Sequence, residues 1–347
     1  MTDGSDRQRP LCATGAAPCG HCTRTAAAGP DRVARATLVV SPLASRIRDP
    51  RVRAQLIVDA RAAIARRGIA DTEVVESGDP STIGAAAAAA VERGDALVVL
   101  AGGDGTVRDG ATALVSSGVE VGILPCGTGN LYAAAAGVPR AVGPAIEALA
   151  SGVAKPVDHA AVRFLSPAGE ERAAGLPTSP ISFGVACGTG FDAKLIAATD
   201  RDQKRRYGIA AYFLAAGRLL PGLTAHPTAI VVDGERTELE SVVVLVANCG
   251  DAIPGTLRPR LPISARDGVL HVFVLPRGGI VGGVRGMLEL MVAETHGVSP
   301  SGHSARLVGR EVRVEMSPAG PTQVDGDPFP PAWLNARVAP GALRVIG

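Results

Sequence analysis

The sequence predicts an α/β protein in which an N-terminal parallel sheet is followed by a C-terminal antiparallel β-sandwich domain. Between residues 36 and 149, short apolar runs alternate with segments of helical spacing, the pattern of a parallel sheet with right-handed crossovers. From about Lys155, apolar segments are separated mainly by Gly and Pro, which favours antiparallel strands. We therefore predict domains at 36–154 and 155–338.

The composition is that of an ordinary soluble globular protein. Of the 347 residues, 46% are hydrophobic and 20% are charged, and the formal net charge is +2. This charge gives no sign of a nucleic-acid partner. No apolar run approaches the roughly 20 residues that span a bilayer. The N-terminus lacks an apolar signal core, so we expect a cytoplasmic protein.

Residues 1–35 show no periodicity and are rich in Gly, Ala, Pro and Arg, so they are predicted to form a disordered leader. They contain Cys12, Cys19, His21 and Cys22, and three thiols with one imidazole could fill a tetrahedral zinc site. A second spaced ligand pair is not visible. A flexible tail with reduced thiols is therefore the favoured interpretation, and zinc is the alternative.

The N-terminal domain is predicted from alternating strands and helices. Gly68 and Gly94 follow the first two helical segments and are expected to end them. A Gly-rich turn follows each of the last two strands, and ligands of parallel sheets bind at such carboxyl ends. The predicted strands are 36–40, 72–76, 97–100 and 119–124, and the predicted helices include 52–67, 80–93 and 142–149.

The C-terminal domain is predicted to be mostly strands. Two helices, 193–220 and 279–295, interrupt them, and the segment 339–347 is expected to return to the first domain. The predicted strands are 156–164, 181–187, 229–232, 241–248, 269–275, 311–316, 322–324 and 336–338.

The two Gly-rich turns are the candidate ligand site. The first (residues 102–106) reads Gly-Gly-Asp-Gly-Thr, and the second (residues 125–130) reads Pro-Cys-Gly-Thr-Gly-Asn. Glycine permits close ligand approach, and the free N–H groups of a following helix favour anions. Asp104 can act on a hydroxyl or hold magnesium. The P-loop and G-x-G-x-x-G patterns are absent, so we predict a different kind of phosphate-binding crevice.

These turns resemble the catalytic domain of the diacylglycerol kinase and sphingosine kinase superfamily, in its bacterial soluble lipid kinase branch. NAD kinases and phosphofructokinases carry a related first turn, but the Gly-Thr-Gly-Asn of the second is typical of the lipid kinases. The resemblance covers about residues 36–347. Its further matches are Gly190-Phe191-Asp192-Ala193, Lys204, Gly208, Ala211-Tyr212, Asp267-Gly268, Asp325-Gly326-Asp327-Pro328 and the closing segment 340–345.

The resemblance implies ATP-dependent phosphorylation of a lipid alcohol such as diacylglycerol, in a cleft between the two domains. It implies a structural Mg²⁺ held by the side chain of Asp267 and the backbone carbonyls of Ser264 and Val269. It makes Asp327 the proton acceptor, while Asp325 and Asp104 would position magnesium or water. The residues it assigns to ATP are Gly102, Gly103, Asp104, Gly105, Thr106, Gly127, Thr128 and, after the second strand, Ser77.

The sequence departs from the family pattern at Arg108, Asp109 and Leu131, where Asn, Glu and Asp are common, and at Asp327, which replaces the usual Glu. A misplacement of about 1 Å can cost on the order of 100-fold in rate. A catalytically weakened lipid- or nucleotide-binding relative is therefore one alternative, and a NAD-kinase-type enzyme acting on a small molecule is another. Membrane contact is expected to be peripheral, a homodimer stays open, and the sequence does not name the lipid.

Overall fold

The computed structural model describes residues 34–167, 175–190, 225–249, 263–276, 297–298 and 304–347. The predicted leader with its Cys and His cluster, and the predicted helices 193–220 and 279–295, lie outside the described residues. Within the described ranges, no helix combines the length and apolar character needed to cross a membrane.

Four parallel strands form the sheet of the N-terminal lobe. They are β1 (Arg35–Val40), β2 (Asp71–Glu76), β3 (Leu97–Gly102) and β4 (Glu120–Pro125), in the spatial order β4-β3-β1-β2. Every residue of β3 is buried, which agrees with its uninterrupted apolar run. The predicted parallel sheet is confirmed.

Five helices lie in this lobe. Asp49 and Asp79 cap the first two, and each is followed by Pro at the first helical position. The first helix begins two residues before its predicted start, because this Asp-Pro signal precedes the apolar pattern. The helices are α1 (Pro50–Arg66), α2 (Pro80–Arg93), α3 (Asp104–Leu114), α4 (Leu131–Ala135) and α5 (Val142–Ser151).

The described part of the C-terminal lobe is built on mainly antiparallel strands. The edge-to-centre order is β11-β12-β10-β9-β8-β13-β16, and β5, β6, β7, β14 and β15 pair beside this path. The strands are β5 (Ala154–Leu165), β6 (Ile181–Phe183), β7 (Ala186–Gly190), β8 (His226–Val232), β9 (Glu235–Ala247), β10 (Leu270–Pro276), β11 (Gly297–Val298), β12 (Ala305–Gly309), β13 (Glu311–Met316), β14 (Thr322–Val324), β15 (Asp327–Phe329) and β16 (Trp333–Ile346).

The last strand, β16, belongs to both sheets. It runs antiparallel to β5 from Trp333 to Ile346, with a register shift between Ala339 and Leu343. Its end pairs in parallel with β4, where Arg344 lies opposite Glu120. One hydrogen-bonded sheet therefore continues from the N-terminal lobe into the C-terminal lobe, and the late residues of the chain are fixed relative to the Gly-rich turns.

The predicted single strand 181–187 is wrong, since the chain bends between β6 and β7. The backbone N–H groups of Gly184, Val185 and Ala186 donate to the Asp325 carboxylate at 2.9–3.1 Å. Amides that bind a side chain in this way do not form a continuous strand ladder. The bend has a tertiary cause that lies about 140 residues away.

Strand β9 begins six residues before its predicted start. Asp233 and Gly234 both have positive φ and form a tight turn, so β8 and β9 make a hairpin. The first half of β9, residues 235–240, is mostly exposed and polar except for Leu239. The apolar pattern consequently revealed only the buried second half of the strand.

A histidine of the C-terminal lobe is buried. His159 on β5 is 3% exposed, and its ring contacts that of Tyr132 edge-to-face at 6.1 Å. Neither ring nitrogen has a hydrogen-bond partner among the described residues. Burial lowers the pKa of His159 to about 4, so the imidazole is neutral in the folded protein near pH 7.

His159 is expected to make the protein less stable in acid. Its folded pKa of about 4 lies below the unfolded value near 6.5, so the unfolded state binds more protons between these pH values. This contribution to stability is lost as the pH falls from about 6.5 towards 4, and it amounts to about 3 kcal/mol. Burial raises the pKa of Asp325 to about 6, which acts with the opposite sign in the same window.

The His159→Phe variant isolates the histidine contribution, because it keeps a ring beside Tyr132 and removes the titration. Urea unfolding of both proteins between pH 7 and pH 4 should show the variant gaining about 3 kcal/mol relative to wild type. Parallel stability curves for the two proteins would contradict this assignment.

Candidate functional site

The carboxyl ends of the four parallel strands form one aligned edge. Val40 pairs with Glu76 and with Ala101, and Ala101 pairs with Leu124. The connections after these strands therefore meet at the same edge of the sheet. They include residues 41–49, Ser77 and both Gly-rich turns, so every residue that was assigned to ATP lies at this edge.

The two Gly-rich turns touch through their backbones. The N–H groups of Cys126 and Gly127 donate to the carbonyl oxygen of Gly102 at 2.9 and 3.1 Å. A Cβ on Gly127 would collide with the Cα of Gly103, and a Cβ on Gly102 would collide with the Thr106 side chain. Gly127 is thus required for the two turns to approach each other, and Gly102 is required for the first turn to close on Thr106, before any ligand is considered.

Asp104, the first residue of α3, fastens the first turn to the second. Its Oδ1 accepts a hydrogen bond from the N–H of Tyr132 at 3.1 Å. A Cβ on Gly129 would lie 2.9 Å from Oδ2, so the second turn is in contact with the carboxylate. Burial raises the pKa of Asp104, and the N–H groups of residues 130–132 oppose that rise. Its predicted action on magnesium, water or a hydroxyl stays a prediction.

Asp104→Ala is expected to destabilise the protein and to weaken ATP binding together. The substitution leaves the buried N–H of Tyr132 without its acceptor, which costs about 1–3 kcal/mol. It also frees the second turn from the first. Urea unfolding and calorimetric ATP titration would measure both effects. Asp49→Ala, which removes only the cap of α1, should cost about 1 kcal/mol and leave ATP affinity unchanged; an Asp104→Ala protein that behaves the same way would contradict this role.

Asn130 shapes the second turn from inside. It is buried and has a left-handed backbone with φ of 50°. Its Oδ1 accepts from the N–H of Gly127 at 3.0 Å, while its Nδ2 donates to the carbonyls of Pro125 and Gly127 at 3.2 and 2.8 Å. The Asn of the motif therefore holds the turn, and the neighbouring Thr128 hydroxyl is left to face the sheet edge.

Ser45 is a site residue that the sequence reasoning missed. Its Oγ lies 3.1 Å from Oγ1 of Thr128, which brings two hydroxyls together at the sheet edge. The next residue, Arg46, donates to the carbonyls of Pro125 and Arg140 at 3.1 and 2.8 Å and so ties this loop to the second turn. The available signal was the Ser-Pro-Leu-Ala-Ser run directly after β1.

Ser77 lies at the same edge after β2. Its N–H donates to the carbonyl of Val40 at 3.0 Å, and its Oγ accepts from the N–H of Asp79 at 3.1 Å. The hydroxyl therefore shapes the loop that leads into α2. A contact of Ser77 with ATP stays a prediction.

An ion pair joins Asp327 to the helix that starts at the first Gly-rich turn. Nη1 of Arg108 lies 2.8 Å from Oδ2 of Asp327, and Nε of Arg108 donates to Oδ1 of Asp109 at 3.2 Å. The Arg108 side chain is 17% exposed, whereas that of Asp327 is 61% exposed. Burial raises the pKa of Asp109, and the charge of Arg108 opposes the rise. Three of the positions that depart from the family pattern thus form one contact group.

Asp325 and Asp327 have different surroundings although one residue separates them. Asp325 has φ of 47° and Gly326 has φ of 90°, so the chain turns tightly between β14 and β15. Both Asp325 oxygens accept from backbone N–H groups of residues 184–186. Burial raises the pKa of Asp325 to about 6, and those N–H groups oppose the rise. Asp325 is in contact with the β6–β7 bend, and a role with magnesium or water stays a prediction.

The predicted metal ligands share one loop before β10. Asp267 Oδ2 accepts from the N–H of Ser264 at 3.1 Å, and Oδ1 accepts from the N–H of Val269 at 3.2 Å. Burial is the largest single influence on the pKa of Asp267 and acts to raise it, but the hydrogen bonds from His271 and from the N–H groups of Ser264 and Val269 together lower the pKa. The predicted ligands, one carboxylate and two backbone carbonyls, are all oxygen donors, which is the chemistry that Mg²⁺ prefers. Over the described ranges, no cluster of three or more His, Cys, Asp and Glu side chains is arranged to hold a metal ion, so this loop would depend on backbone carbonyls.

Asp158 connects this loop to the second Gly-rich turn. Its carboxylate accepts from the N–H groups of Gly268 and Gly341, both at 2.7 Å. Its carbonyl oxygen accepts from the hydroxyl of Tyr132 at 3.1 Å. Since the N–H of Tyr132 binds Asp104, hydrogen bonds through Tyr132 and Asp158 link the first turn to the Asp267 loop.

Two family models match the chain. The diacylglycerol kinase catalytic domain matches residues 49–162. The YegS C-terminal NAD kinase beta sandwich-like domain matches residues 185–347. The first match ends within β5, and the second begins at the bend between β6 and β7.

Similar proteins come from several bacteria. A probable YegS-like lipid kinase of Pseudomonas aeruginosa is 33% identical over 241 residues, which are 65% of this chain and 67% of that protein. An uncharacterized protein of Synechocystis is 26% identical over 230 residues, 66% of this chain. The chain spans about half (49%) of the length of that Synechocystis relative.

Solved structures share the fold over most of the chain. A diacylglycerol kinase of Bacillus anthracis superimposes with a TM-score of 0.61 at 18% identity, covering 90% of this chain and 96% of that one. Another crystal structure from the same organism superimposes with a TM-score of 0.69 at 20% identity and the same coverage.

Proposed function

The chain belongs to the diacylglycerol kinase and sphingosine kinase superfamily, and from that membership we propose that it is an ATP-dependent lipid kinase acting on diacylglycerol or a related lipid alcohol. The observation that carries this proposal is the 2.8 Å contact between Arg108 and Asp327. Asp327, the exposed acid of the Asp325-Gly326-Asp327 motif, thereby lies against α3, the helix that begins at the first Gly-rich turn. A nucleotide phosphate and a proton acceptor would thus share one region.

ATP would bind along the carboxyl edge of β1–β4. The N–H groups at the start of α3 offer donors to phosphate oxygens, and the helix dipole favours negative charge there. The paired hydroxyls of Ser45 and Thr128 add neutral donors at the same edge. This proposal keeps Ser77 and residues 102–106, 127 and 128 as the nucleotide site.

Asp327 would act as the general base. It accepts the proton of the lipid hydroxyl as that oxygen bonds to the γ-phosphorus, and the bond from phosphorus to the β–γ bridging oxygen breaks. The products are a phosphorylated lipid and ADP. In phosphoryl transfer most of the enzyme's contribution is positioning and charge neutralisation, and general-base help is typically worth roughly 10²–10⁴-fold.

The Asp267 loop would hold the structural Mg²⁺ with the Asp267 carboxylate and the carbonyl oxygens of Ser264 and Val269. When bound there, a divalent cation supplies a fixed positive charge that neutralises the carboxylate. The chain itself fastens this loop through Asp158, which binds the N–H of Gly268. Contact with the lipid surface would be peripheral and the protein cytoplasmic, with no nucleic-acid partner; a homodimer is compatible with the proposal.

One observation favours the second candidate, a NAD-kinase-type enzyme. The C-terminal family model is described as NAD kinase beta sandwich-like. The third candidate, a weakened relative, rests on the departures at Arg108, Asp109, Leu131 and Asp327. Arg108 and Asp327 form an ion pair with each other, so these two departures fit one another and Asp327 has a fixed partner.

Transfer of radiolabel from γ-³²P-ATP to a panel of acceptors tests the three candidates. The panel contains diacylglycerol, a sphingoid base, an isoprenoid alcohol and phosphatidylglycerol in mixed micelles, and NAD in solution. We expect label in one or more lipids and none in NADP. Label in NADP alone would overturn the lipid kinase proposal, and ATP binding without transfer to any acceptor would favour the weakened relative.

Arg108→Ala is expected to lower kcat by about 100-fold with little change in the KM for ATP. The substitution removes the cation that holds Asp327. Displacement of a catalytic base by about 1 Å can lower the rate on the order of 100-fold. Loss of the pair with the exposed Asp327 should cost less than about 1 kcal/mol. The part-buried Asp109 also loses its cation, so urea unfolding should show a modest further loss of stability.

Arg236→Ala, which removes an exposed arginine bound to Glu238 and Glu315, is the matched control for Arg108→Ala. Equal kcat for the two variants would remove Arg108 from the mechanism.

A further inference from the structure

The side chains of Asp267, His271 and Arg306 form a hydrogen-bonded row that begins in the Asp267 loop. His271 Nε2 lies 3.0 Å from Oδ2 of Asp267, and Nη2 of Arg306 lies 3.1 Å from Nδ1 of His271. The Asp267 side chain is 28% exposed, whereas His271 and Arg306 are 4% and 1% exposed. The row therefore runs from a carboxylate at the surface to a guanidinium in the interior.

The hydrogen-bond donors and acceptors in this row follow from the chemistry of its side chains. An arginine guanidinium only donates hydrogen bonds, so Nδ1 of His271 must accept. The ring proton then sits on Nε2 and is donated to Oδ2 of Asp267. The guanidinium carbon of Arg306 also lies over the ring of Phe273, 5.2 Å from its centroid, in a cation–π contact. His271 thus has one defined tautomer and one defined orientation.

The hydrogen bonds of this row leave one oxygen of the Asp267 carboxylate, Oδ1, available to a cation. Oδ2 accepts from His271 and from the N–H of Ser264, while Oδ1 accepts only from the N–H of Val269 among the hydrogen bonds described above. A carboxylate oxygen offers about two acceptor sites, so Oδ1 retains one. Hydrogen bonds to the far oxygen are the usual means by which proteins orient a metal-binding carboxylate.

We propose that His271 and Arg306 are positioning residues that hold Asp267 for a divalent cation in this loop. His271 fixes the rotation of the carboxylate, and Arg306 fixes the tautomer and orientation of His271. The inference rests on the proposed function only in expecting that this loop takes Mg²⁺. It adds two residues, one of them on β12 and 39 positions after Asp267 in the printed sequence, to what the resemblance implied.

The test measures the affinity of the full-length protein for Mn²⁺ by electron paramagnetic resonance, in the absence of nucleotide. Asp267→Asn identifies which bound Mn²⁺ belongs to this loop. His271→Leu is expected to weaken that affinity by 10–100-fold, the typical effect of losing an outer-shell partner. His271→Gln should retain the affinity, since its amide oxygen and nitrogen can replace the acceptor and the donor of the ring. His226→Leu is the matched control and should bind like wild type.

Circular dichroism and thermal unfolding establish that each variant is folded. If His271→Leu does not fold, His271→Asn takes its place, because the shorter amide keeps the polarity but cannot reach both partners. Equal Mn²⁺ affinity in wild type and in the folded Leu or Asn variant would overturn the inference, as would a folded Gln variant that binds no better than they do. Wild type that phosphorylates a lipid but has no Mn²⁺ site dependent on Asp267 would overturn it and leave the kinase proposal standing. Wild type that binds Mn²⁺ in the Asp267 loop, with the dependence on His271 described above, but transfers no phosphoryl group would overturn only the kinase proposal.

Discussion

Asp327→Asn is expected to lower kcat for lipid phosphorylation by about 10²–10⁴-fold, with the affinity for ATP unchanged. The amide cannot accept the hydroxyl proton, and general-base help is worth roughly that factor. The Asp327 side chain is 61% exposed, so the variant should keep the stability of wild type. Steady-state kinetics with the preferred lipid, together with calorimetric ATP titration, would measure both quantities.

Glu238→Gln is the matched control for this variant. Glu238 is also an exposed carboxylate paired with an arginine, since its side chain is 72% exposed and lies 2.9 Å from Arg236. It belongs to β9, where no role in the reaction is proposed. Unchanged kcat is expected for Glu238→Gln, and unchanged kcat for Asp327→Asn would exclude Asp327 as the base.

Gly127→Ala is expected to abolish ATP binding and to destabilise the fold. Its Cβ would collide with the Cα of Gly103, and backbone cannot move aside as a flexible side chain can. Overpacking of this kind typically costs about 1–3 kcal/mol. It would also push the two Gly-rich turns apart at the edge proposed for the phosphates. Urea unfolding and ATP titration would report the two losses.

The control for the glycine variant is Gly143→Ala. Gly143 lies in α5 without a positive φ, and none of the described residues comes within 4 Å of the position that its Cβ would take. Alanine also has a better helix propensity than glycine by about 1 kcal/mol. The control should therefore be at least as stable as wild type and bind ATP normally. A Gly127→Ala protein that matches it in both measurements would contradict the close contact between the turns.

The parallel sheet and the Gly-rich turns could be predicted because their signals are local. Buried parallel strands give continuous apolar runs such as residues 97–100, and the turns follow them directly in the chain. Strands with one polar face were harder to predict from the sequence. The first half of β9 is missing from the prediction because residues 235–240 are polar except for Leu239. Strand β12 was missed because it is short and carries the buried Arg306.

The contacts that assemble the candidate site could not be predicted, because they join distant parts of the chain. Arg108 and Asp327 are 219 positions apart, and nothing local indicates that they form a pair. Asp325 and Asp327 resemble each other in sequence, yet one binds three backbone amides and the other is exposed. The hydroxyl pair of Ser45 and Thr128 depends likewise on how two separate loops meet.

The central claim is that the carboxyl edge of β1–β4 and Asp327 form two halves of one site. A bisubstrate analogue, in which the γ-phosphate of ATP is esterified to a lipid alcohol, tests it directly by calorimetric titration. If the halves adjoin, the analogue should bind at least about 100-fold more tightly than the γ-methyl ester of ATP, because the second half then binds intramolecularly. Equal affinity of the analogue and the methyl ester would contradict the claim.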